Sequence, residues 1–410
     1  MQTHIADGSG EYRRAMLGML LGSLVTFAIL YSPQTLIGPF AEQFGIAPSA
    51  ASLVISCSTL TLAVSMLLVS VFSNAWGRKN LMSASLLITS ALAIASAFCH
   101  DFHALLVLRL LEGISLSGFP AIAMTYLNEE ISPGSLGKVM GVYVAGNAVG
   151  GFAGRIVVSL LTDLFDWHVG MLAVGVVSMA CSVLFLLRLP DSRNFKPESV
   201  SFRHWIGGFK SGFSDRRLPV LYLVGFLLLG SYVTLFNYIG YPLSRPPLNL
   251  SQTVIGSLFV FQLVGSWSSV VFGRLADRHS RAGLIGVGVA LSLLGAALTL
   301  FGHLIPMIAG IVLFAFGFFG GHTIASGWVG KIAPPAHKVY ASSLYLLFYY
   351  FGSSLIGASG GVFLTAYRWP GVIGLICGLL VAVAGLAAVF LHRKPVSSGK
   401  RALSRAAERG

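Results

Sequence analysis

The sequence predicts an all-α membrane protein with twelve transmembrane helices in two pseudo-symmetric six-helix bundles. Of its 410 residues, 55% are hydrophobic and only 10% are charged, whereas soluble domains carry roughly 25% charged residues. Continuously apolar stretches of about 20 residues recur from end to end, and each is long enough to cross ~30 Å of hydrocarbon as a helix. Membrane strands would need alternating apolar and polar residues, which these stretches lack, so we expect helices.

The predicted spans follow the chain in two sets of six. The first comes after Arg13 and Arg14 but runs to about Phe40 without a small-residue cleavage site, so we expect a retained span rather than a signal peptide. After a tail of residues 1–13, the first bundle (14–188) has spans at 14–40, 49–73, 80–99, 103–127, 137–162 and 168–188. After a polar linker (189–217), the second bundle (218–391) has spans at 218–242, 252–273, 282–302, 304–328, 338–364 and 370–391, followed by a basic tail (392–410).

The basic residues are unevenly distributed between the two sides of this predicted bundle. The net charge is +13, and the connections on the side of the N-terminus carry most of it: Arg13, Arg14, Arg78, Lys79, Lys138, Arg274, Arg278, Arg281, Lys331, Lys338, the linker and the tail. The opposite connections hold only Arg245 and Arg368. Basic loops beside apolar spans are typical of cytoplasmic loops and not of a nucleic-acid face. We therefore predict a multi-pass protein of a bacterial inner (plasma) membrane with both termini in the cytoplasm.

The sequence lacks the motifs that indicate disulfide, metal, nucleotide or enzyme chemistry. The four cysteines fall within or at the ends of apolar spans without CxxC spacing, which favours buried thiols over a disulfide framework or a metal site. The chain has no GxxxxGK[ST] loop for ATP and no HExxH motif. No loop is long enough for a catalytic domain. We expect no enzyme activity, no cofactor and no metal.

The two predicted halves contain matching segments. The loop after the second span includes Asn74, and the loop after the eighth includes Asp277 at the corresponding position about half a chain later. The fifth and eleventh spans are both rich in glycine, and Gly146, Gly150 and Gly154 of the fifth, spaced every four residues, predict close helix approach on one face. Two related six-span halves are typical of secondary transporters, which hold a substrate near the midplane between the halves.

Three motifs resemble those of the major facilitator superfamily. The loop Gly273-Arg-Leu-Ala-Asp-Arg-His-Ser-Arg281 is similar to that family's cytoplasmic loop motif, and a first-half copy with Gly77 and Arg78 has Asn74 and Ala75 in place of an acidic and a basic residue. In the fourth span, Arg109, Glu112 and Gly113 match the family's Arg-x-x-Gln-Gly pattern except at the glutamate. In the fifth, a segment similar to the antiporter signature Gly-Pro-x-x-Gly-Gly consists of Gly146, Asn147, Gly150 and Gly151.

The resemblance covers nearly the whole chain and is nearest to the drug–proton antiporter branch. The stretches 124–130 and 235–241 look like those of YnfM-type, arabinose-efflux-like transporters. This resemblance implies the major facilitator fold, proton-coupled export of a small solute, and a cavity lined by the first, fourth, seventh and tenth spans.

The loop motif also has a direct physical interpretation. Asp277 is short and anionic, so it suits the amides at a neighbouring helix N-terminus, while Arg278 and Arg281 can pair with it or with lipid headgroups. We expect a latch that closes the cytoplasmic side in the outward-open state, and a weaker one in the first half because Asn74 is neutral. The alternative is that these are ordinary positive-inside charges.

Arg109 and Glu112 are charged residues deep in the fourth span. They lie three residues apart, on one helix face. Charges at this depth are costly and usually face a cavity or a partner. One hypothesis makes Glu112 a proton acceptor that responds to Arg109 and to substrate in the cavity. The other makes the two residues a permanent ion pair that fastens the helix.

Arg155 is a second buried cation, in the same half of the membrane as Tyr31 and Gln34 of the first span. With Arg109, it leaves the region with one positive charge more than Glu112 neutralises. This favours an anionic or zwitterionic substrate if Arg155 reaches the cavity. The alternative is that Arg155 extends outward or meets Asp163 or Asp166.

Polar residues in the second half mark candidate cavity walls. The seventh span has one polar stripe, which either faces the cavity or packs against helices through its hydroxyls: Ser231, Thr234, Tyr238 and Tyr241. His322 titrates near neutrality in water and is a further candidate for proton coupling, or a hydrogen-bonded packing residue. Tyr345 and Tyr349 contribute to the site or fill space between helices.

Together these features predict a monomeric secondary transporter that exports a small organic solute in exchange for protons by alternating access, with Glu112 and Arg109 as the leading coupling pair. One alternative within the same fold is a proton symporter or uniporter for uptake of an organic anion, sugar or siderophore. A more distant alternative is a receptor or channel, but no ring of like charges indicates a pore.

Overall fold

The structure is a computed structural model that describes residues 4–195, 209–210, 212–213, 215–334 and 338–391. The described residues form helices and short connections, with one isolated β-bridge between Ile5 and Ile131. Most of the predicted linker and all of the basic tail 392–410 lie outside the described residues, as does the side chain of Asn74.

Ten helical spans precede a longer apolar segment at the C-terminal end. They are α1 (Gly10–Gln43), α2 (Leu53–Trp76), α3 (Arg78–Ser96), α4 (Phe102–Glu130), α5 (Leu136–Leu164), α6 (Trp167–Arg188), α7 (Arg217–Ser244), α8 (Gln252–Leu275), α9 (Arg281–Phe301) and α10 (Leu304–Ile332). Each lies over a predicted span, with ends that differ by a few residues.

The remaining segment, Tyr340–Leu391, comprises two spans. As a single 52-residue helix it would measure ~78 Å, well beyond the ~30 Å of a bilayer core. The backbone leaves the helical conformation at Arg368 (φ 54°, ψ −154°), and Pro370 follows inside the next turn. Because proline has no N–H to donate, the helix is interrupted there. The segment therefore divides into α11 (338–367) and α12 (369–391), which confirms the twelve predicted helices.

Several helices are preceded by a residue whose short polar side chain caps the helix N-terminus. Asp101 accepts a hydrogen bond from the Ala104 amide (2.8 Å) at the start of α4, and Asp166 accepts one from Val169 (2.9 Å) in α6. These contacts satisfy amides that have no partner within their own helix. Gly77, with φ +81°, makes the abrupt turn between α2 and α3 in a conformation that side chains rarely adopt.

Glycines allow the helices of each half to pack closely. In the N-terminal half, Gly146, Gly150 and Gly154 of α5 face α1, and a Cβ added to Gly150 would lie 2.6 Å from the Leu24 carbonyl oxygen. In the C-terminal half α11 packs on α7 in the corresponding way, with Gly352 against the Phe226 backbone. Small residues therefore bring backbones together in both halves, as the glycine spacing predicted.

The two halves meet mainly along two helix pairs, α2 with α11 and α5 with α8, and the 3₁₀ segment of α1 also contacts α7 and α8. We call the side of the α1–α2 connection the distal side and the side of the N-terminus the proximal side. Among the described side chains, the hydrogen bonds between halves run from the distal ends to about mid-membrane, where Thr59 and Ser354 hydroxyls lie 2.8 Å apart. The distal side is therefore closed, and the space between the halves is bounded from that end.

Candidate functional site

An aromatic space lies between the halves beneath the closed distal side. Tyr31 of α1 is partly exposed although it lies within the bundle, and α11 in the other half carries Tyr349 and Tyr350. Both α11 tyrosines are also partly exposed, as is His322 of α10. These partly exposed interior side chains define a cavity with walls from both halves.

Arg155 forms the charged part of this cavity. Its Nε and Nη2 both donate to Gln34 Oε1 (3.0 and 2.6 Å), and its Nη1 donates to the Gly151 carbonyl oxygen (2.9 Å). Its guanidinium carbon lies 4.8 Å from the ring centroids of Tyr31 and Phe259. A Cβ on Gly151 would lie 3.3 Å from Nη1, so the glycine leaves room for the guanidinium group.

The charge of Arg155 is not neutralised by a carboxylate in the described part of the chain. The expectation that it meets Asp163 or Asp166 is wrong, because Asp163 accepts hydrogen bonds from α8 and Asp166 caps α6. A buried guanidinium group held only by neutral oxygens and ring faces is costly at this depth. It leaves a positive potential that favours an anion in the cavity.

Gln34 connects Arg155 to the opposite half. It lies in a 3₁₀ segment of α1, Ser32–Leu36, and its Nε2 donates to Asn237 Oδ1 of α7 (2.7 Å). Asn237 is 4% exposed, and its Nδ2 is buried without a hydrogen-bond partner in the described structure. Asn237 was not among the predicted site residues, although an amide in an otherwise apolar span is a signal of such a site.

The structure places Arg109 and Glu112 inside the N-terminal half and does not bring Arg109 to the cavity. Arg109 is 1% exposed and Glu112 is completely buried. The two form an ion pair, and Glu112 also accepts a hydrogen bond from Ser96 (2.7 Å). Arg109 further donates to backbone carbonyl oxygens of α1 and α2 at Ile29, Leu30 and Val54 (3.2, 3.0 and 2.9 Å).

The contact between Arg109 and α1 has a local cause in the sequence. Pro33 has no N–H, so the Ile29 carbonyl oxygen four residues earlier lacks its usual helical donor. Arg109 Nη1 supplies that donor at 3.2 Å. The guanidinium group therefore satisfies the backbone where α1 changes to a 3₁₀ segment. This arrangement matches the alternative of an ion pair that fastens helices.

Three residues of the polar stripe of α7 pack against helices, and the fourth lies near the distal surface. Ser231 donates to its own helix at Leu227, while Thr234 and Tyr238 donate to the α11 backbone. These three side chains are at most 1% exposed, so they pack against helices as the alternative prediction stated. Tyr241 lies near the distal surface, where it accepts a hydrogen bond from Arg245 (2.8 Å).

His322 lies in an aromatic cluster of the C-terminal half. Its Nδ1 is 2.9 Å from the Tyr345 hydroxyl, and its ring centroid is 4.5 Å from that of Tyr349. Tyr345 is 2% exposed, whereas His322 and Tyr349 are partly exposed to the cavity. The structure therefore brings these three predicted residues together.

The loop motifs of the two halves differ in the contacts that their charged side chains make. Asp277 and Arg278 are exposed, and the Asp277 side chain has neither a hydrogen bond nor an ion pair among the described residues. Arg281, at the start of α9, makes no ion pair there either. In the first half, Arg78 pairs with Glu129 through two hydrogen bonds (2.9 and 3.1 Å). Among the described side chains, the first-half motif is therefore paired and the second-half motif is not.

The fifth-span motif contributes packing and an unpaired polar atom. Gly146 and Gly150 contact α1, and Gly151 adjoins Arg155. Asn147, where the antiporter signature has proline, is partly exposed and has a buried Oδ1 without a hydrogen-bond partner in the described structure. It lies two turns before Arg155 on α5 and adds a polar group toward the proximal side of that residue.

Comparison with known proteins identifies the family. The model of the Major Facilitator Superfamily matches residues 16–245 and 242–409. The uncharacterized MFS-type transporter YybF of Bacillus subtilis (strain 168) is 44% identical over 399 residues, covering 97% of this chain and 98% of YybF. The inner membrane transport protein YnfM of Escherichia coli (strain K12) is 40% identical over 390 residues, covering 95% of this chain and 93% of YnfM.

Solved structures agree on the fold. A bacterial homologue of the human lysosomal transporter Spinster, in an inward-facing and unoccupied conformation, superposes with a TM-score of 0.76 at 15% identity, covering 94% of this chain and 96% of that one. The matched relatives are transporters and not enzymes, as the sequence led us to expect. The chain belongs to the major facilitator superfamily of membrane transporters.

Proposed function

We propose that this transporter exports a small organic anion or zwitterion by alternating access, in exchange for protons. The observation that carries the substrate class is Arg155, which is 4% exposed and held by a neutral amide, a carbonyl oxygen and two aromatic faces. Glu112 is the one carboxylate in the middle of a described span, and it is already paired with Arg109. An anionic substrate would therefore supply the missing negative charge in the cavity.

The closed distal side supports alternating access. If the proximal side is cytoplasmic, as the distribution of basic residues indicates, the structure corresponds to an inward-facing state in which a substrate for export enters. The unpaired Asp277 fits this state, because its latch would close only when the proximal side closes. We place the transporter in the inner membrane as a monomer, with both termini in the cytoplasm.

Proton exchange has two candidate carriers. His322 faces the cavity beside Tyr345 and Tyr349, where water and substrate have access. Glu112 is completely buried, so its protonation requires release of Arg109 and would loosen the Pro33 bend of α1. We propose that a proton on either group is coupled to closure of the cavity. The resemblance of α5 to the antiporter signature supports exchange rather than symport.

The substrate class can be tested by binding. Purified wild-type protein is screened by thermal shift against organic acids, cationic drugs, sugars and siderophores, and stabilising compounds are then titrated. We expect anionic compounds to stabilise the protein. Arg155→Met should weaken their binding at least tenfold, because hydrogen bonds to charged groups contribute about 1.5–3 kcal/mol.

Arg245→Met is the matched control, since Arg245 makes a similar cation–π contact with Tyr241 (4.0 Å) at the distal surface. It should leave binding unchanged. Stabilisation by cations alone, or equal losses in both variants, would overturn the proposed substrate class.

Direction and coupling require reconstituted vesicles. An imposed proton gradient should drive counter-transport of the identified anion, and His322→Gln or Glu112→Gln should remove the pH dependence if that residue carries the proton. Uptake by symport is the alternative, and it would instead make the external medium alkaline when substrate is added. A variant that keeps the wild-type pH dependence excludes its residue from the coupling role.

A further inference from the structure

Gln34 occupies the part of Arg155 that best fits a carboxylate. The Nε and Nη2 edge of a guanidinium group presents two parallel donors that match the two oxygens of a carboxylate. Here both donors converge on the single neutral oxygen Oε1 of Gln34, at 3.0 and 2.6 Å. Gln34 is 2% exposed and is thus held firmly against this edge. A carboxylate would make stronger, charge-assisted bonds with the same donors.

The orientation of the Gln34 amide is fixed by this contact. Arginine can only donate hydrogen bonds, so the oxygen of Gln34 must face Arg155 and the nitrogen must face away. The nitrogen therefore points to Asn237 Oδ1 in the other half, at 2.7 Å. The bond between the halves depends on Arg155 holding Gln34 in place.

Asn237 has no described alternative to this bond. Its Nδ2 is buried and unpaired, so Gln34 supplies the one side-chain hydrogen bond that Asn237 makes among the described residues. Gln34 itself lies in the 3₁₀ segment Ser32–Leu36, where α1 changes its hydrogen-bonding pattern. Such segments often mark hinges. The contact thus joins the 3₁₀ segment of α1 to α7 on the distal side of the cavity.

We propose that Gln34 senses occupancy of the site: a carboxylate that binds Arg155 displaces the Gln34 oxygen, and the released amide no longer holds Asn237. Loss of this contact weakens the closed distal side, so the loaded transporter opens there more readily than the empty one. Gln34 is a positioning residue that acts through Arg155 and Asn237. This inference rests on the proposed anionic substrate, but its effect on the empty protein can be measured separately.

The experiment measures opening of the distal side directly. Spin labels are attached at His100 and His303, which are exposed in distal connections of opposite halves, after replacement of the native cysteines by alanine. Their distance distribution is recorded in lipid nanodiscs for the full chain. Benzoate is the anionic probe and benzamide its neutral counterpart.

Four results are expected. In the wild type, benzoate but not benzamide increases the ratio of distal-open to distal-closed protein. Gln34→Ala increases this ratio about tenfold without any ligand, as loss of one buried hydrogen bond predicts, and benzoate adds little. Gln34→Glu, whose carboxylate would stay on Arg155, opens the distal side and prevents benzoate binding. Thr35→Val, in the same 3₁₀ segment but with a hydroxyl that among the described residues bonds only to Ser32, behaves as the wild type.

The inference is overturned if ligand-free Gln34→Ala gives the same distance distribution as the wild type, or if Thr35→Val opens the distal side as much as Gln34→Ala does. It is also overturned if Gln34→Ala changes the ratio but benzoate changes it further by the wild-type factor. Absence of benzoate binding to the wild type would count against the proposed substrate class alone, because the ligand-free comparison still decides the role of Gln34. Thermal unfolding of each variant confirms that it is folded.

Discussion

The distal closure depends on a carboxylate at a helix N-terminus, and replacing it should open that side. Asp163, at the end of α5, accepts hydrogen bonds from the Gln252 and Thr253 amides (3.1 and 2.6 Å) at the start of α8, and another from the Thr253 hydroxyl. These contacts join the two halves. An anion here also interacts favourably with the positive end of the α8 dipole. Asp163→Asn keeps the size of the side chain but removes the charge and one acceptor oxygen.

The free energy that Asp163 contributes to the distal-closed state follows from the number of its hydrogen bonds and from its exposure to solvent. Hydrogen bonds to charged groups contribute about 1.5–3 kcal/mol when sheltered, and a helix dipole adds about 0.3–1 kcal/mol at the surface. Because Asp163 is solvent-exposed, we take the lower part of this range and expect a loss of ~1–2 kcal/mol in the distal-closed state. The ratio of distal-open to distal-closed protein should therefore rise about 5- to 30-fold.

Distance measurements between labels at His100 and His303 test this prediction. Asp166→Asn is the control, because Asp166 caps α6 within the N-terminal half (2.9 Å to the Val169 amide) and makes no described contact with the other half. In the wild type, 1 M salt should also favour opening, because it shortens the screening length to ~3 Å. Asp163→Asn should show no such salt dependence.

The reasoning fails if Asp163→Asn has the wild-type distance distribution, or if Asp166→Asn opens the distal side equally. In either case the closure would depend on helix packing, such as that of α2 against α11, and not on this carboxylate.

Three other variants test separate parts of the structure. Glu112→Gln should lower stability by ~3–5 kcal/mol in thermal or denaturant unfolding, because it leaves Arg109 buried without its counter-charge; an unchanged transition would show that the pair is dispensable for folding. Gly150→Ala should lower stability by ~1–3 kcal/mol because its Cβ would lie 2.6 Å from the Leu24 carbonyl oxygen, whereas Gly141→Ala, with open space around it, should have little effect. Asp277→Asn should slow transport in vesicles but leave the resting His100–His303 distance unchanged, since Asp277 is unpaired in this state; a changed resting distance would contradict that assignment.

Several parts of the fold were predictable from local sequence. A span must hydrogen-bond its own backbone in lipid, so each apolar stretch of sufficient length is a helix whatever its neighbours are. This is why the twelve predicted spans agree with the structure. The spacing of Gly146, Gly150 and Gly154 predicted close helix approach for a similar reason, because the absence of a side chain acts at the position itself.

The site was predictable in part. Arg155, Gln34, Tyr31 and Tyr349 were expected in the cavity and His322 in proton coupling, and the structure places these side chains in the two walls of the cavity. Arg109 was equally prominent in sequence, yet it lies inside the N-terminal half. A buried charge indicates that some partner exists, but it does not indicate which helix provides that partner.

Amino-acid patterns alone predicted which segments cross the membrane, that there are two related halves, and that few charges lie at membrane depth. These properties depend on the length and polarity of single segments in lipid. The folded bundle was needed to show that Thr234 and Tyr238 donate to α11, that Asp163 bonds to α8, and that Asn237 meets Gln34 across the interface. Rotation of each helix about its axis and the register between halves arise from packing of the whole bundle, so no single segment encodes them.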